Sequence, residues 1–220
     1  MAINLTKGQK IDLRKDTGEK LTSFCVGVNW GAIETKGGLF GLSKKVQDID
    51  LDLSCVLVDS NNNIADHLYS PLYRPEILAK FGLPPGKLLT SDAALKHTGD
   101  DLEGDKGGDD GLDNEIITVD LSRINSNITQ IFFFLNNAGK EDFSQIPYAK
   151  IRMYEGTPTR VNSVFASYNV SAESQYRGKQ SIIMGKLYKR GEEWKFSAVG
   201  DPTEDTFLGQ TIHRIMKSYL

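Results

Sequence analysis

The stretch Ile49-Asp50-Leu51-Asp52-Leu53-Ser54-Cys55 alternates strictly, apolar at odd positions and polar at even ones. Successive side chains of an extended chain point to opposite faces, so this is the pattern of a half-buried β-strand. Past Cys55 the even positions become Val56 and Val58, which takes the strand from a wetted rim into an interior packed on both faces. Asp50 and Asp52 therefore project together from one rim.

Outward from this strand, similar alternation is legible at about 21–30, 64–70, 115–121, 128–136, 147–155, 160–170, 180–190 and 193–199. Asp59-Ser60-Asn61-Asn62-Asn63 and Arg190-Gly191-Glu192 have the composition of hairpin turns. Many short strands with few helical patterns predict an all-β chain, a two-sheet antiparallel β-sandwich spanning residues 1–200. Two segments break the rhythm. Pro75 to Phe81 fits a short helical turn ahead of Pro84-Pro85-Gly86. At the end, Asp201 or Thr203 is a candidate cap for a helix with Pro202 and Glu204 in its first turn and an apolar stripe of Leu208, Ile212, Ile215, Met216 and Tyr219. Residues 201–220 are expected to form a C-terminal helix packed on the same domain.

Composition bounds the function. A chain of 220 residues, 39% hydrophobic and 25% charged, has the make-up of one globular domain. The first residues lack an apolar export segment and the longest solid apolar run, Ile131 to Leu135, is far below the ~20 residues of a membrane span, so a cytoplasmic protein that does not itself span a membrane is expected. Cys25 and Cys55, each within a strand pattern, read as small buried residues of a reducing compartment, and two thiols alone do not make a zinc cage. Basic residues are scattered along the sequence without interleaved stacking aromatics, which argues against nucleic acid as a partner.

Charge is distributed unevenly. Residues 100–115 hold eight carboxylates and one lysine, a local charge of −7 in a chain of net charge −3, so the remainder carries +4. Carboxylates about 5 Å apart repel by roughly 0.8 kcal/mol per pair even in bulk water. A divalent cation reverses that cost. Calcium takes six to eight oxygens, short Asp side chains deliver them to a tightly turned backbone, and Gly99, Gly104, Gly107, Gly108 and Gly111 permit such turns. The run also leads directly into the strand Glu115-Ile116-Ile117-Thr118-Val119-Asp120-Leu121, which a merely solvating tail would not need.

Simple motifs do not fit. With Glu115 in the last position of an EF-hand loop, Asp109 falls where the turn glycine belongs. Gly99 to Lys106 fails as a phosphate-binding loop because Asp105 separates Gly104 from the lysine. His67, His97 and His213 have no paired metal-ligand spacing.

His97-Thr98-Gly99-Asp100-Asp101-Leu102-Glu103-Gly104-Asp105, with Gly108-Asp109-Asp110 and Glu115, resembles the signature of the TerD family of tellurium-resistance and stress-response proteins. Val26-Gly27-Val28-Asn29-Trp30, Asp50-Leu51-Asp52-Leu53-Ser54, and Gly185-Lys186-Leu187-Tyr188 with Glu193-Trp194-Lys195-Phe196 resemble further blocks of that family in the same order. Gly37 to Val46 is similar to the TerX-like branch.

The resemblance implies a calcium-binding β-sandwich with about two Ca2+ ions, the second less certain than the first, shared between the loop and the Asp-Leu-Asp strand. The positions implied are Asp50, Asp52, Asp100, Asp101, Asp105, Asp109, Asp110 and Glu115, although Asp101 stands where the family often has Asn. Gly107 stands where an Asp is usual and Gly111 to Asn114 look inserted, so one ligand is either lost or replaced by Asp113; Glu103 reads as solvated. Tellurite resistance and general stress response follow as the implied role, exercised as a calcium-dependent scaffold among related Ter proteins or other proteins, including a membrane-associated complex. Two alternatives use the same carboxylates: a hydrolase dependent on Mg2+ or Mn2+, with His97 as a base, and a metal-free acidic docking domain.

Overall fold

The computed structural model describes residues 3–4, 7–15, 18–37, 43–170 and 174–220. One six-stranded sheet has the order β1 (Ile3–Asn4), β12 (Arg160–Asn169), β11 (Ala149–Thr157), β3 (Ser23–Trp30), β9 (Glu115–Asp120), β8 (Leu95–His97). The other has the order β2 (Lys10–Asp12), β14 (Glu193–Thr203), β13 (Ser181–Arg190), β10 (Ile128–Asn137), β6 (Leu51–Asp59), β7 (Ile64–Leu68). A separate ribbon pairs β4 (Ile33–Gly37) with β5 (Ser43–Gln47). Neighbours run antiparallel except for the short β1, which is parallel to β12. This is the expected antiparallel sandwich.

The alternating stretch lies near the centre of the second sheet. Its odd positions, Ile49, Leu51, Leu53 and Cys55, point into the main core with Phe133 and Leu135 of β10 and Val26, Val28 and Trp30 of β3. Val56 and Val58 face the other way, under the helix α2 (Leu208–Ser218), where Leu208, Ile212 and Ile215 cover them. Both faces of β6 are therefore dry. Cys25 and Cys55 are free and buried.

The short α1 (Pro75–Leu78) continues into a tight turn at Ala79–Phe81, with Pro75 in the first helical position where its missing N–H costs nothing. The C-terminal helix begins later than the sequence suggests. Asp201 and Thr203 complete β14, paired with Ile183 and Ser181 of β13, and the helix opens at Leu208 instead. Gln210 caps it, its Oε1 accepting from the N–H groups of Thr206 (2.9 Å) and Phe207 (3.1 Å). Strand pairing competes with helix capping for Asp201–Thr203, and the hydrogen bonds to β13 win. The strands β1, β2, β4, β5 and β8 have no counterpart among the alternating segments of the sequence; β1, β2 and β8, at two or three residues, are too short to carry a period. Of the TerX-like stretch, residues 38–42 lie outside the described residues.

The fold places the acidic run in the connection between β8 and β9. These are antiparallel neighbours, a pairing that two to five residues can close, yet residues 98–114 intervene. A connection of that length in a compact domain is characteristically functional. None of the described helices is long and apolar enough to cross a membrane.

Candidate metal centre

The acidic loop is fastened by its backbone to both sheets. Asp105 donates its N–H to Trp30 O (2.9 Å) and accepts from Ala32 N–H (2.9 Å) at the end of β3. Glu103 O accepts from Ile49 N–H (3.1 Å), beside the start of β6. Trp30 joins the two sides by donating its indole N–H to Ile49 O (2.7 Å). Gly104 lies flat on that indole with φ +71°, and a Cβ there would come within 2.6 Å of the ring, so no other residue fits without displacing Trp30.

Asp52, Asp100 and Glu115 converge, each offering an oxygen within 4.8 Å of the others. Asp52 is buried on β6 and accepts a hydrogen bond from Tyr73 Oη (2.8 Å). Asp100 is held by the Ser70 hydroxyl. Glu115, fully buried at the start of β9, accepts from the N–H groups of Leu53 (2.7 Å) and Asp101 (3.1 Å). Asp50 lines the same cavity of about 130 Å3 with Asp52, Ser70, Tyr73 and Asp100, and its Oδ1 is buried without a hydrogen-bond partner. Burial, reinforced by Asp100 and Asp101, pushes the Asp50 carboxyl up to about 6. Burial raises Asp52 well above the usual carboxylate range, with Glu115 and Asp50 adding to it, and burial raises Glu115 as well.

Among the described residues no ammonium or guanidinium pairs with these carboxylates, and the basic neighbour is His97, its Nε2 3.4 Å from Glu115 Oε2. Its Nδ1 accepts the Gly99 N–H (2.9 Å), so the ring proton sits on Nε2, shared with Leu53 O (3.0 Å), and the imidazole is neutral. An unpartnered buried oxygen, carboxylates held near protonation by burial, and an all-oxygen donor set suit a hard divalent cation such as calcium. A cavity of that size holds an ion and several waters, at ~30 Å3 per water.

A second group, Asp105, Asp109 and Asp110, also brings its oxygens within 4.8 Å. It is more fully satisfied. Asp105 Oδ2 accepts from Tyr148 Oη (2.9 Å) and Asn29 Nδ2 (3.1 Å), and Oδ1 from Asn114 Nδ2 (3.1 Å). Asp109 pairs with Lys150, which holds its carboxyl below the usual range. Asn29 Oδ1, in the same cluster, is buried without a partner.

The structure brings six of the eight predicted carboxylates into two groups and seats Asp50 beside the first. Asp101 joins neither. Its Oδ1 accepts from the N–H groups of Glu103 (2.9 Å) and Gly104 (3.1 Å), and its Oδ2 from Asn114 Nδ2 (3.1 Å), so it braces the loop. Asp113 lies in neither group. It turns onto Arg152 Nε (2.8 and 3.0 Å), filling space left by the missing side chain of Gly27. Glu103 is exposed and pairs with Lys106. Ser70, Tyr73, Asn29, Asn114 and Tyr148, which hold the carboxylates, went unread in the sequence. Only Asn29 left a signal there, as a polar residue in the otherwise apolar run Val26 to Trp30.

The family model described as the TerD domain matches residues 1–214. The stress response protein SCP2 of Bacillus subtilis (strain 168) is 34% identical over 220 residues, covering 97% of this chain and 99% of that protein. The tellurium resistance protein TerZ of Serratia marcescens is 29% identical over 198 residues, 90% of this chain and 89% of its own length. Among solved structures, a homologue of the telluride resistance protein TerD from Streptomyces coelicolor A3(2) shares the fold at a TM-score of 0.57 and 10% identity, covering 84% of this chain and 91% of that one.

Proposed function

Because this chain belongs to the TerD family, whose named relatives act in tellurium resistance and stress response, we propose that it is a calcium-binding interaction module of the cytoplasm. Calcium orders the acidic rim, and the ordered rim is the surface that other proteins, related Ter proteins among them, recognise. The observation that carries this reading is the first carboxylate group. Asp52, Asp100 and Glu115 converge beside a partly closed cavity that Asp50, Asp52 and Asp100 line, with an unpartnered Asp50 oxygen and, among the described residues, no ammonium or guanidinium paired with them.

The first group is the principal site and the second the weaker one, since Lys150 already neutralises Asp109 and amide and phenol donors occupy Asp105. The chain works by binding and not by catalysis. His97, the candidate base, is buried with both ring nitrogens engaged by the backbone, which leaves neither nitrogen free to exchange a proton with a substrate. Linkage makes the rim responsive: a ligand bound only by the ordered loop stabilises it by about 2.7 kcal/mol at a hundredfold excess over its dissociation constant.

Calorimetric titration of chelator-treated protein with Ca2+ and separately with Mg2+ tests the reading. Calcium is expected to give one strong step at the first group and a weaker second step, with magnesium much weaker at both. Absence of calcium heat, with partner binding that chelator leaves intact, would return the rim to a metal-free docking surface.

A further inference from the structure

The outer face of the second sheet is only half covered. The helix α2 lies over Val56, Val58, Phe132, Phe134 and Ile183. Beyond it is an open groove of about 380 Å3 lined by Lys10, Gln130, Lys186, Tyr188, Lys189 and Ser197. Strand register assembles it. Lys186 on β13 is opposite Ser197 on β14, Ser197 is opposite Lys10 on β2, and Tyr188 is opposite Gln130 on β10. Directly paired residues share a face, so two lysines flank one serine with Cα atoms about 10 Å apart, two strand spacings.

The positive charge in this groove is uncompensated. No carboxylate lines it, and among the described residues no ion pair reaches Lys10, Lys186 or Lys189. By contrast Lys195, close by on β14, is matched by Asp12 (2.7 Å) and Glu193 (3.2 Å). Lys186 is half-buried, donating to Gln130 Oε1 (2.6 Å) and Tyr219 O (2.7 Å), which leaves one of its three N–H donors. Burial and the neighbouring Lys10 both pull its ammonium below the usual lysine range. Lys189 bonds Ser126 O (3.1 Å) and lies 5.2 Å over the Trp194 ring. Ordinary structural roles account for part of this. A lysine on the edge strand β2 discourages sheet-to-sheet aggregation, and Lys186 caps the end of α2. Neither role gathers Lys189 and the Ser197 and Tyr188 hydroxyls around the same opening, nor keeps every carboxylate out of it.

We infer that this groove binds a phosphate monoester dianion, with Lys10 and Lys186 bracketing the phosphoryl oxygens above Ser197. Lysine serves phosphate as a mobile point charge, and two of them on one face, with Lys189 at the margin over Trp194, around hydroxyl and amide donors favour a divalent over a monovalent anion. A phosphate fills roughly the space of two or three waters, ~60–90 Å3, so the groove has room for an organic remainder along the Tyr188 ring and the lysine stems.

The test is calorimetry of the full chain with glycerol 3-phosphate and, separately, inorganic phosphate. Alongside it, co-sedimentation would use phosphatidylcholine vesicles carrying either phosphatidic acid or phosphatidylglycerol. Saturable binding is expected to a monoester, unchanged by chelator and weakened about tenfold by each of Lys10→Gln and Lys189→Gln. Lys10 is exposed, so Lys10→Gln keeps the fold; Lys189 is half-buried over Trp194, so Lys189→Gln is read together with its melting temperature; Lys186→Met would also unseat α2. Binding of glycerol 3-phosphate points to a soluble ester, and binding of phosphatidic acid vesicles alone points to a lipid headgroup. Either supports the groove. Binding of inorganic phosphate alone, equal binding to phosphatidylglycerol vesicles, no binding in any arm, or wild-type affinity in the double variant would overturn it.

Discussion

The acidic rim and the basic groove occupy different stations on the same strand. Asn136 of β10 pairs with Asp52 at the rim, while Gln130 lines the groove, and six residues of strand rise separate them by about 20 Å. Each gathers like charges that repel in the absence of a ligand. They are held in opposite ways. Most of the rim charge is contiguous in sequence, with Asp50 and Asp52 added at the start of the strand beside it, and backbone bonds from Asp105 and Glu103 and the Gly104 contact fix the loop in place. The groove charge comes from β2 and β13, far apart in sequence, and only the pairing through Ser197 unites it. Charge stored in a loop depends on that loop's conformation, and charge stored on a sheet depends on register.

The comparison is broken most forcefully by removing the more deeply buried of the two buried members of the first group. Glu115→Gln keeps the shape, deletes one negative ligand, and is expected to lower calcium affinity by roughly a hundredfold, leaving phosphate-ester binding as in wild type. Calorimetry with both ligands reads it. Calcium affinity equal to wild type would place the centre elsewhere than among Asp52, Asp100 and Glu115.

Next in size is Gly104→Ala. Its Cβ would meet the Trp30 indole at 2.6 Å in a left-handed conformation, an overpacking and backbone cost of about 2–3 kcal/mol. Gly107 has φ +86° and open space around it, so Gly107→Ala carries only the conformational part, about 1 kcal/mol. Urea denaturation of the two variants compares them. Equal losses would show that loop conformation alone, without the Trp30 contact, anchors the rim.

The same contrast explains what was legible in the sequence. The sandwich was, because alternation at Ile49–Cys55 reports burial directly and each long strand repeats it. The acidic loop was, because its carboxylates are neighbours in the chain. Spacing does not reveal that Asp101 bends back onto Asn114 or that Asp113 turns onto Arg152. The groove was not legible at all: scattered lysines become a cluster only once β2, β14 and β13 are laid side by side. The helix start was missed for a related reason, since the claim of β13 on Asp201–Thr203 is a long-range pairing that capping rules do not see.

Acidity should affect the rim in a direction set by its raised carboxyls. Asp50 rises to about 6 in the fold from roughly 3.9 when unfolded. Between those values the metal-free folded chain binds more protons than the unfolded one, so its stability is full below the lower value and is lost as pH rises through the upper. Asp52 and Glu115 shift the same way. The lowered carboxyls Asp92 and Asp205 act in a separate window, losing their contribution as pH falls below about 4. Chelator-treated protein is therefore expected to melt at a higher temperature at pH 5 than at pH 7.5, and calcium to reverse that order. Asp50→Asn should flatten the difference, and a metal-free melting temperature that climbs steadily with pH would contradict the buried-charge account.

The smallest expected effect tests the second group, where rim and groove chemistry meet. Lys150 gives Asp109 the counter-charge that the first group lacks, and its ammonium also lies 5.6 Å from the centre of the Tyr148 ring, whose hydroxyl bonds Asp105. A calcium ion at this group has to displace that ammonium. Lys150→Met keeps the apolar stem over Tyr148 and frees the carboxylate, so the second calcium step should strengthen severalfold while the first is unmoved, a gain of about 1 kcal/mol in keeping with a solvent-exposed ion pair. If instead the second step weakens, Lys150 holds Asp109 in place for the ion more than it competes with it.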